Sequence, residues 1–151
     1  MCGRLPRQPT LCAISAILLT SSTDESRTTT KFYECETCGK IIAVIKDTDV
    51  KTECCGHEMR LLVPGTTDGA MEKHVPMTTT DGRNVSVKVG SLEHPMTAAH
   101  HIEWISVETT NGHHCRTLRP GNKSEATFAL VPYEKVKNVY EYCNLHGLWV
   151  S

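Results

Sequence analysis

The stretch Val85-Ser86-Val87-Lys88-Val89-Gly90-Ser91-Leu92-Glu93-His94-Pro95-Met96-Thr97-Ala98-Ala99-His100-His101-Ile102-Glu103-Trp104-Ile105-Ser106-Val107 sets two strand-like runs on either side of a loop that carries histidines. In the first run Val85, Val87 and Val89 alternate with Ser86 and Lys88, the two-residue period of a strand with one face buried. The second run predicts Ile102, Trp104 and Ser106 on one face, with His101, Glu103, Ile105 and Val107 on the other. Downstream, Ala126, Phe128 and Leu130 alternate in the same way, and Val139 to Tyr142 begins a last strand. Asp81-Gly82, Asn111-Gly112 and Pro120-Gly121-Asn122 read as the turns between strands. No long stretch keeps the 3.6-residue apolar period of a helix. The expectation is an all-β chain whose larger part, residues 67–151, is a compact antiparallel β-sandwich.

Composition narrows the function classes. The chain has 151 residues, with 16 basic and 17 acidic side chains and a net charge of −1. So even a balance argues against a nucleic-acid partner held by phosphate neutralisation. No apolar run approaches the roughly 18 residues of a membrane span. Two Trp, four Tyr and two Phe are few, so the core leans on Val, Ile, Leu and on cross-linking. The excess lies in 8 cysteines and 8 histidines, the side chains that bind transition metals best.

Residues 1–30 differ from the rest. Arg4 and Arg7 precede an apolar run from Leu11 to Leu19 and a Thr/Ser tract from Thr20 to Thr30. That order suits a targeting segment, while Pro6 and Pro9 spoil a helical presequence and suit a disordered extension. Residues 31–66 form a small unit with four cysteines, in which Lys40 to Val50 is predicted as a strand. Gly39 and Gly56 each follow a cysteine, as expected where the chain turns tightly beside a metal. A unit this short cannot bury a sufficient core alone and needs a staple. Gly65 to Gly69 reads as a linker to the sandwich.

Cys35-Glu36-Thr37-Cys38 is a C-x-x-C, followed further on by the adjacent pair Cys54-Cys55. A C-x-x-C turn lets two thiolates grip one ion, and a second pair across a hairpin completes a tetrahedron. Adjacent cysteines cannot easily bond to each other, and two ligands without a spacer strain the tetrahedron. Two disulfides or a redox pair are the competing readings; the spacing favours a metal knuckle. Four thiolates suit zinc or iron, and spacing does not choose between them.

His74 lies in Glu72-Lys73-His74-Val75-Pro76, and His94 and His100 flank Pro95 to Ala99. A third segment is Cys143-Asn144-Leu145-His146-Gly147. Each histidine alone is weak evidence, but all lie near Pro or Gly at loop or strand-end positions where ligands sit. With these motifs, and with Cys35-x-x-Cys38 and Cys54-Cys55, the chain resembles the desulfoferrodoxins over about residues 31 to 150. They are the two-iron class of superoxide reductase.

The resemblance implies a small rubredoxin- or desulforedoxin-like metal knuckle followed by an immunoglobulin-like β-sandwich, the neelaredoxin-like catalytic domain. It implies two non-haem irons, one held by Cys35, Cys38, Cys54 and Cys55. The second would take His74, His94, His100 and His146 as equatorial ligands, with Cys143 axial and a sixth position open. It further implies one-electron reduction of superoxide to hydrogen peroxide, a rubredoxin-like electron donor and a homodimer. Glu72 would occupy the sixth position in the oxidised resting enzyme, and Lys73 would attract superoxide and order a proton-donating water. Reduced thiolate ligands favour the cytoplasm, and residues 1–30 keep a targeting role open. Two other readings compete: a non-catalytic iron electron-transfer protein with a closed second site, and a zinc-stabilised binding module. His57, His101, His113, His114, Cys2, Cys12 and Cys115 receive no role.

Overall fold

The computed structural model describes residues 29–151. The expected N-terminal extension, with Cys2 and Cys12, lies outside the described residues except for Thr29 and Thr30. The elements in chain order begin with β1 (Phe32–Glu34), β2 (Ile41–Ala43), β3 (Glu53–Cys54), β4 (His57–Glu58) and β5 (Arg60–Leu62). They continue with α1 (Met71–His74), β6 (Pro76–Asp81), β7 (Asn84–Val89), β8 (Ile102–Thr109) and β9 (His113–Thr117). Last come β10 (Glu125–Ala129), β11 (Val136–Cys143) and β12 (Gly147–Val150). All strand pairings are antiparallel.

Two sheets make the sandwich, one in the order β10-β7-β6 and one in the order β12-β11-β8-β9. Their facing side chains form one core: Val85, Val87 and Val89 from β7, Ala126 and Phe128 from β10, Ile105 and Val107 from β8, Val139 and Cys143 from β11. The alternation of apolar and polar residues on β7 and β10 is the cause, since only one face of that sheet meets the core. The Asp81-Gly82 turn closes β6 onto β7, with Asp81 opposite Asn84 and Gly82 left-handed at φ 58°.

β8 departs from the expected alternation at its start. Cys143 pairs with Ile102 and Tyr142 with Trp104, so Glu103 is an extra residue in a β-bulge. The bulge rotates Ile102 to the core side with Ile105 and Val107. The sequence pattern had placed Ile102 with Trp104. Cys143, opposite the bulge, reaches the same core from the end of β11.

The other face of the four-stranded sheet is covered by the small N-terminal unit, a sheet in the order β2-β1-β5. Phe32 and Leu62 pack on Tyr140, Tyr142 and Leu148, with Trp104 beside them. Phe32 stacks on Trp104 at 5.1 Å and meets Tyr140 edge-on at 5.1 Å. Burying one such side chain contributes about 1.5–3 kcal/mol. The Tyr142 hydroxyl donates to Glu34 at 3.1 Å, and Arg60 holds the other Glu34 oxygen at 2.5 Å. This cover makes β8 and β11 continuously buried over most of their length.

One further expectation is corrected. The strand predicted over Lys40 to Val50 ends at Ala43, and Ile45 is 97% exposed. Val44 still donates to the Lys31 carbonyl at 2.9 Å, but β1 begins at Phe32, opposite Ala43, and gives the chain no strand partner further on. Gly65 to Gly69 is irregular chain between β5 and α1, anchored where Gly65 N–H donates to Leu148 O at 2.9 Å and the Thr67 hydroxyl donates to the His146 carbonyl.

Candidate metal centres

The first cluster joins the β1–β2 turn to the β3–β4 hairpin. Sγ of Cys38 lies 3.8 Å from Sγ of Cys54, which lies 3.9 Å from Sγ of Cys55. The donor atoms of Cys35, Cys38, Cys54 and Cys55 are all within 4.8 Å of one another. A tetrahedron with metal–sulfur bonds of about 2.3 Å has edges of about 3.8 Å, whereas a disulfide needs about 2.05 Å. The spacing fits one tetrahedral ion and excludes disulfides here, and all four cysteines are free. The backbone solves the problem of the adjacent pair. Cys55 takes φ 53° and Gly56 φ 80°, so the chain curls left-handed and both neighbouring thiols face one point. Backbone N–H groups of Cys38 and Thr37 aimed at Cys35 pull its thiol down to about 6. The thiols of Cys38 and Cys54 hold Cys55 up at about 12, so a cation would have protons to displace.

The second cluster is assembled at one end of the sandwich. His74 ends α1, His94 and His100 come from the β7–β8 loop, Cys143 ends β11 and His146 lies in the β11–β12 turn. Neighbouring rings have centroids 4.6–4.9 Å apart in the cycle His74–His94–His100–His146, and His74 and His100 lie across it at 6.4 Å. That ratio of side to diagonal is a square. Cys143 Sγ is a fifth donor, 3.6 Å from Nδ1 of His146. Ring N–H groups must donate to carbonyls, so His74 Nδ1 donates to Ala70 O at 2.8 Å and His94 Nδ1 to Pro95 O at 2.6 Å. The Nε2 lone pairs of both rings then face each other at 3.2 Å.

Burial, at 1% and 2% exposure, lowers the pKa of both rings, that of His94 to about 4. A proton bridging the two lone pairs is therefore disfavoured at neutral pH. A cation fits instead, because two imidazoles at right angles with bonds of about 2.1 Å stand about 3.0 Å apart. His100 Nε2 is likewise buried without a hydrogen-bond partner. Cys143 is 0% exposed, and burial raises its thiol pKa. Glu141, two residues before it, is pushed by burial up to about 9, so it adds no negative charge beneath the thiol at neutral pH.

Glu72 and Lys73 also sit on α1. Glu72 is exposed and Lys73 half-buried, and neither forms an ion pair among the described residues. The Lys73 charge acts on the rings of both His74 and His100. The unassigned histidines belong to neither donor group, although His57 lies across the hairpin from Cys54 and His101 follows His100. His57 is exposed, His113 shares a hydrogen bond with the Thr30 hydroxyl at 2.9 Å, and His114 bonds Glu134 at 3.0 Å.

Three residues that support the site carry no signal in the sequence pattern. Trp149 stacks on His74 at 4.9 Å and donates its indole N–H to His146 O at 3.0 Å. Gly69 packs under this group, where a Cβ would stand 2.8 Å from the Trp149 ring. Gly90 has φ 76°, and a Cβ there would stand 2.6 Å from the carbonyl oxygens of Lys73 and Leu92. Gly90→Ala combines left-handed strain with backbone overlap, each costing about 1–3 kcal/mol. It should lower the melting temperature and displace α1, so that less metal is retained at the second cluster. An unchanged melting curve and full metal content would show that α1 is not held by this contact.

An antiparallel sandwich that gathers four imidazoles and a thiol at one end, and carries a four-thiol knuckle on one sheet, defines a class of two-centre metal proteins. A family model described as Desulfoferrodoxin matches residues 66–151. A desulfoferrodoxin homolog of Archaeoglobus fulgidus is 42% identical over 119 residues, which span 79% of this chain and 94% of that protein. The desulfoferrodoxin of Syntrophotalea carbinolica is 44% identical over 119 residues, spanning 79% of this chain and 93% of that one. The crystal structure of the superoxide reductase from Treponema pallidum superposes with a TM-score of 0.71 at 34% identity. That match covers 82% of this chain and 99% of the other. The chain belongs to the desulfoferrodoxin family.

Proposed function

We propose that the protein is a superoxide reductase that converts superoxide, one electron and two protons to hydrogen peroxide at the histidine–cysteine cluster. The observation that carries this reading is the square of four imidazoles with one buried thiol. A square leaves two positions on its axis, and one thiol supplies a donor for only one of them. Structural sites are closed by their protein ligands, whereas reactive ones keep a position open. The superoxide reductase of Treponema pallidum, similar over nearly its whole length, supports the choice of substrate. Iron bound here would supply the single electron, and a second iron would sit in the thiol knuckle of Cys35, Cys38, Cys54 and Cys55.

The chain's own residues do the rest. Lys73 precedes His74 on α1, and its charge is felt by the rings of His74 and His100. Two unit charges a few ångströms apart near a surface attract by about 1–4 kcal/mol, enough to steer a small anion. With iron held in the square, Lys73 would order a proton-donating water, and the exposed Glu72 carboxylate would be available to the side left without a protein donor and would help peroxide leave. Lys73→Ala should slow the bimolecular reaction with superoxide by about tenfold and flatten its dependence on ionic strength. An unchanged rate and salt slope would return Lys73 to the role of a solvated charge.

The reading includes a division at residues 66/67. It is supported by the pairing of β1 to β5 only among themselves and of β6 to β12 only among themselves. It also includes a rubredoxin-like electron donor, a homodimer and a cytoplasmic location, where thiolate ligands stay reduced. No helix among the described residues is long and apolar enough to cross a membrane.

The test is a pulse of superoxide delivered to the ferrous protein. One peroxide per superoxide without oxygen evolution is expected, together with a new visible band and two irons per chain. Colourless protein holding zinc, or oxygen evolved as in dismutation, would overturn the proposal.

A further inference from the structure

His74 and His94 are each oriented by a ring hydrogen bond to a carbonyl, but no hydrogen bond to the His100 ring exists among the described residues. His100 therefore depends on where its backbone is held. Thr97 closes the local turn, accepting from His100 N–H at 3.1 Å and donating its own N–H to His100 O at 2.9 Å. That turn is self-contained and does not fix the loop against the other donors. Asn144 does, from the residue next to Cys143. Its Oδ1 accepts from His101 N–H at 2.8 Å and its Nδ2 donates to Ala99 O at 3.0 Å. Its backbone N–H donates to His101 O at 3.1 Å. The carboxamide thus bonds the peptide groups on both sides of His100, in the manner of a strand partner.

We propose that Asn144 is a positioning residue of the second centre, setting the place of His100 in the square relative to Cys143. This rests on the reading of that cluster as the iron site. Outer partners of metal ligands are worth about 10- to 100-fold in affinity. Asn144→Ala in the iron-loaded full-length chain should release iron to an excess of chelator faster by about that factor and shift the thiolate-to-iron charge-transfer band. In a His100→Ala background the same change should add almost nothing, because the clamp then has no ligand to place. Asn144→Asp keeps the acceptor and the shape but sets an oxygen against Ala99 O, so it should move both readouts in the same direction even if Asn144→Ala folds poorly.

Hydrogen exchange over residues 97–102 of the metal-free chain should speed up in either variant. This measurement stands whether or not the wild-type cluster binds iron, so a failure of the functional reading is told apart from a failure of the clamp. Unchanged release, band and exchange in Asn144→Asp would overturn the proposal. An equal acceleration of release with and without the His100 side chain would do so too, since that marks a general loss of stability.

Discussion

Cys143→Ser is expected to abolish superoxide reduction and the thiolate-to-iron charge-transfer band while leaving the sandwich folded. Cys143 lies in the core between the two sheets, opposite the bulge at Glu103, and serine has nearly the same shape. The loss is therefore electronic more than structural. Without a cation, burial favours the protonated Cys143 thiol; with a metal bound, Cys143 would lose that proton and serve as a thiolate ligand. A serine hydroxyl gives up its proton far less readily. The effect should exceed the about 10- to 100-fold associated with losing a mere outer partner. Stopped-flow reduction of superoxide, with the visible spectrum and a melting curve, measures all three consequences. A variant that keeps band and rate would remove Cys143 from the ligand set.

Cys35→Ser should empty the knuckle of its iron and leave superoxide chemistry largely intact. Among the described residues the buried sandwich core begins at Val85, and the five donors of the second cluster run from His74 to His146. The knuckle has short strands and two exposed thiols, so a metal held by its four cysteines would be the main cross-link of its loops. Metal binding in units of this kind contributes about 10–16 kcal/mol of folding free energy. Iron per chain should fall from two to one, and the knuckle loops should become protease-sensitive. Phe32 and Leu62 remain docked on the sheet side chains in this variant, which limits the damage to the loops. Loss of the second iron as well would mean that the docked knuckle holds the reactive site in place.

The donor residues of both clusters could be read before any fold was known. Ligand chemistry is written in residue type and short spacing: a C-x-x-C with a second cysteine pair, and histidines beside Pro and Gly. Strand period was equally readable on β7 and β10, because a single sheet face meets the core there. It failed on β8, where one extra residue in the bulge rotates Ile102 to the core. It failed again beyond Ala43, where β1, which begins at Phe32, offers no partner to a chain whose apolar residues suggested a longer strand.

Residue identity therefore sufficed for the all-β class, for the donor set and for the family. Local spacing carries these because a strand's period and a chelating turn are properties of consecutive residues. Packing alone decided that the linker is tied to Leu148 and His146, and that the knuckle covers one face of the sheet. Packing also put Trp149 against His74 and set Asn144 on either side of His100. Those contacts join residues far apart in the chain. They exist only once two sheets, a bulge and two loops have come together in space.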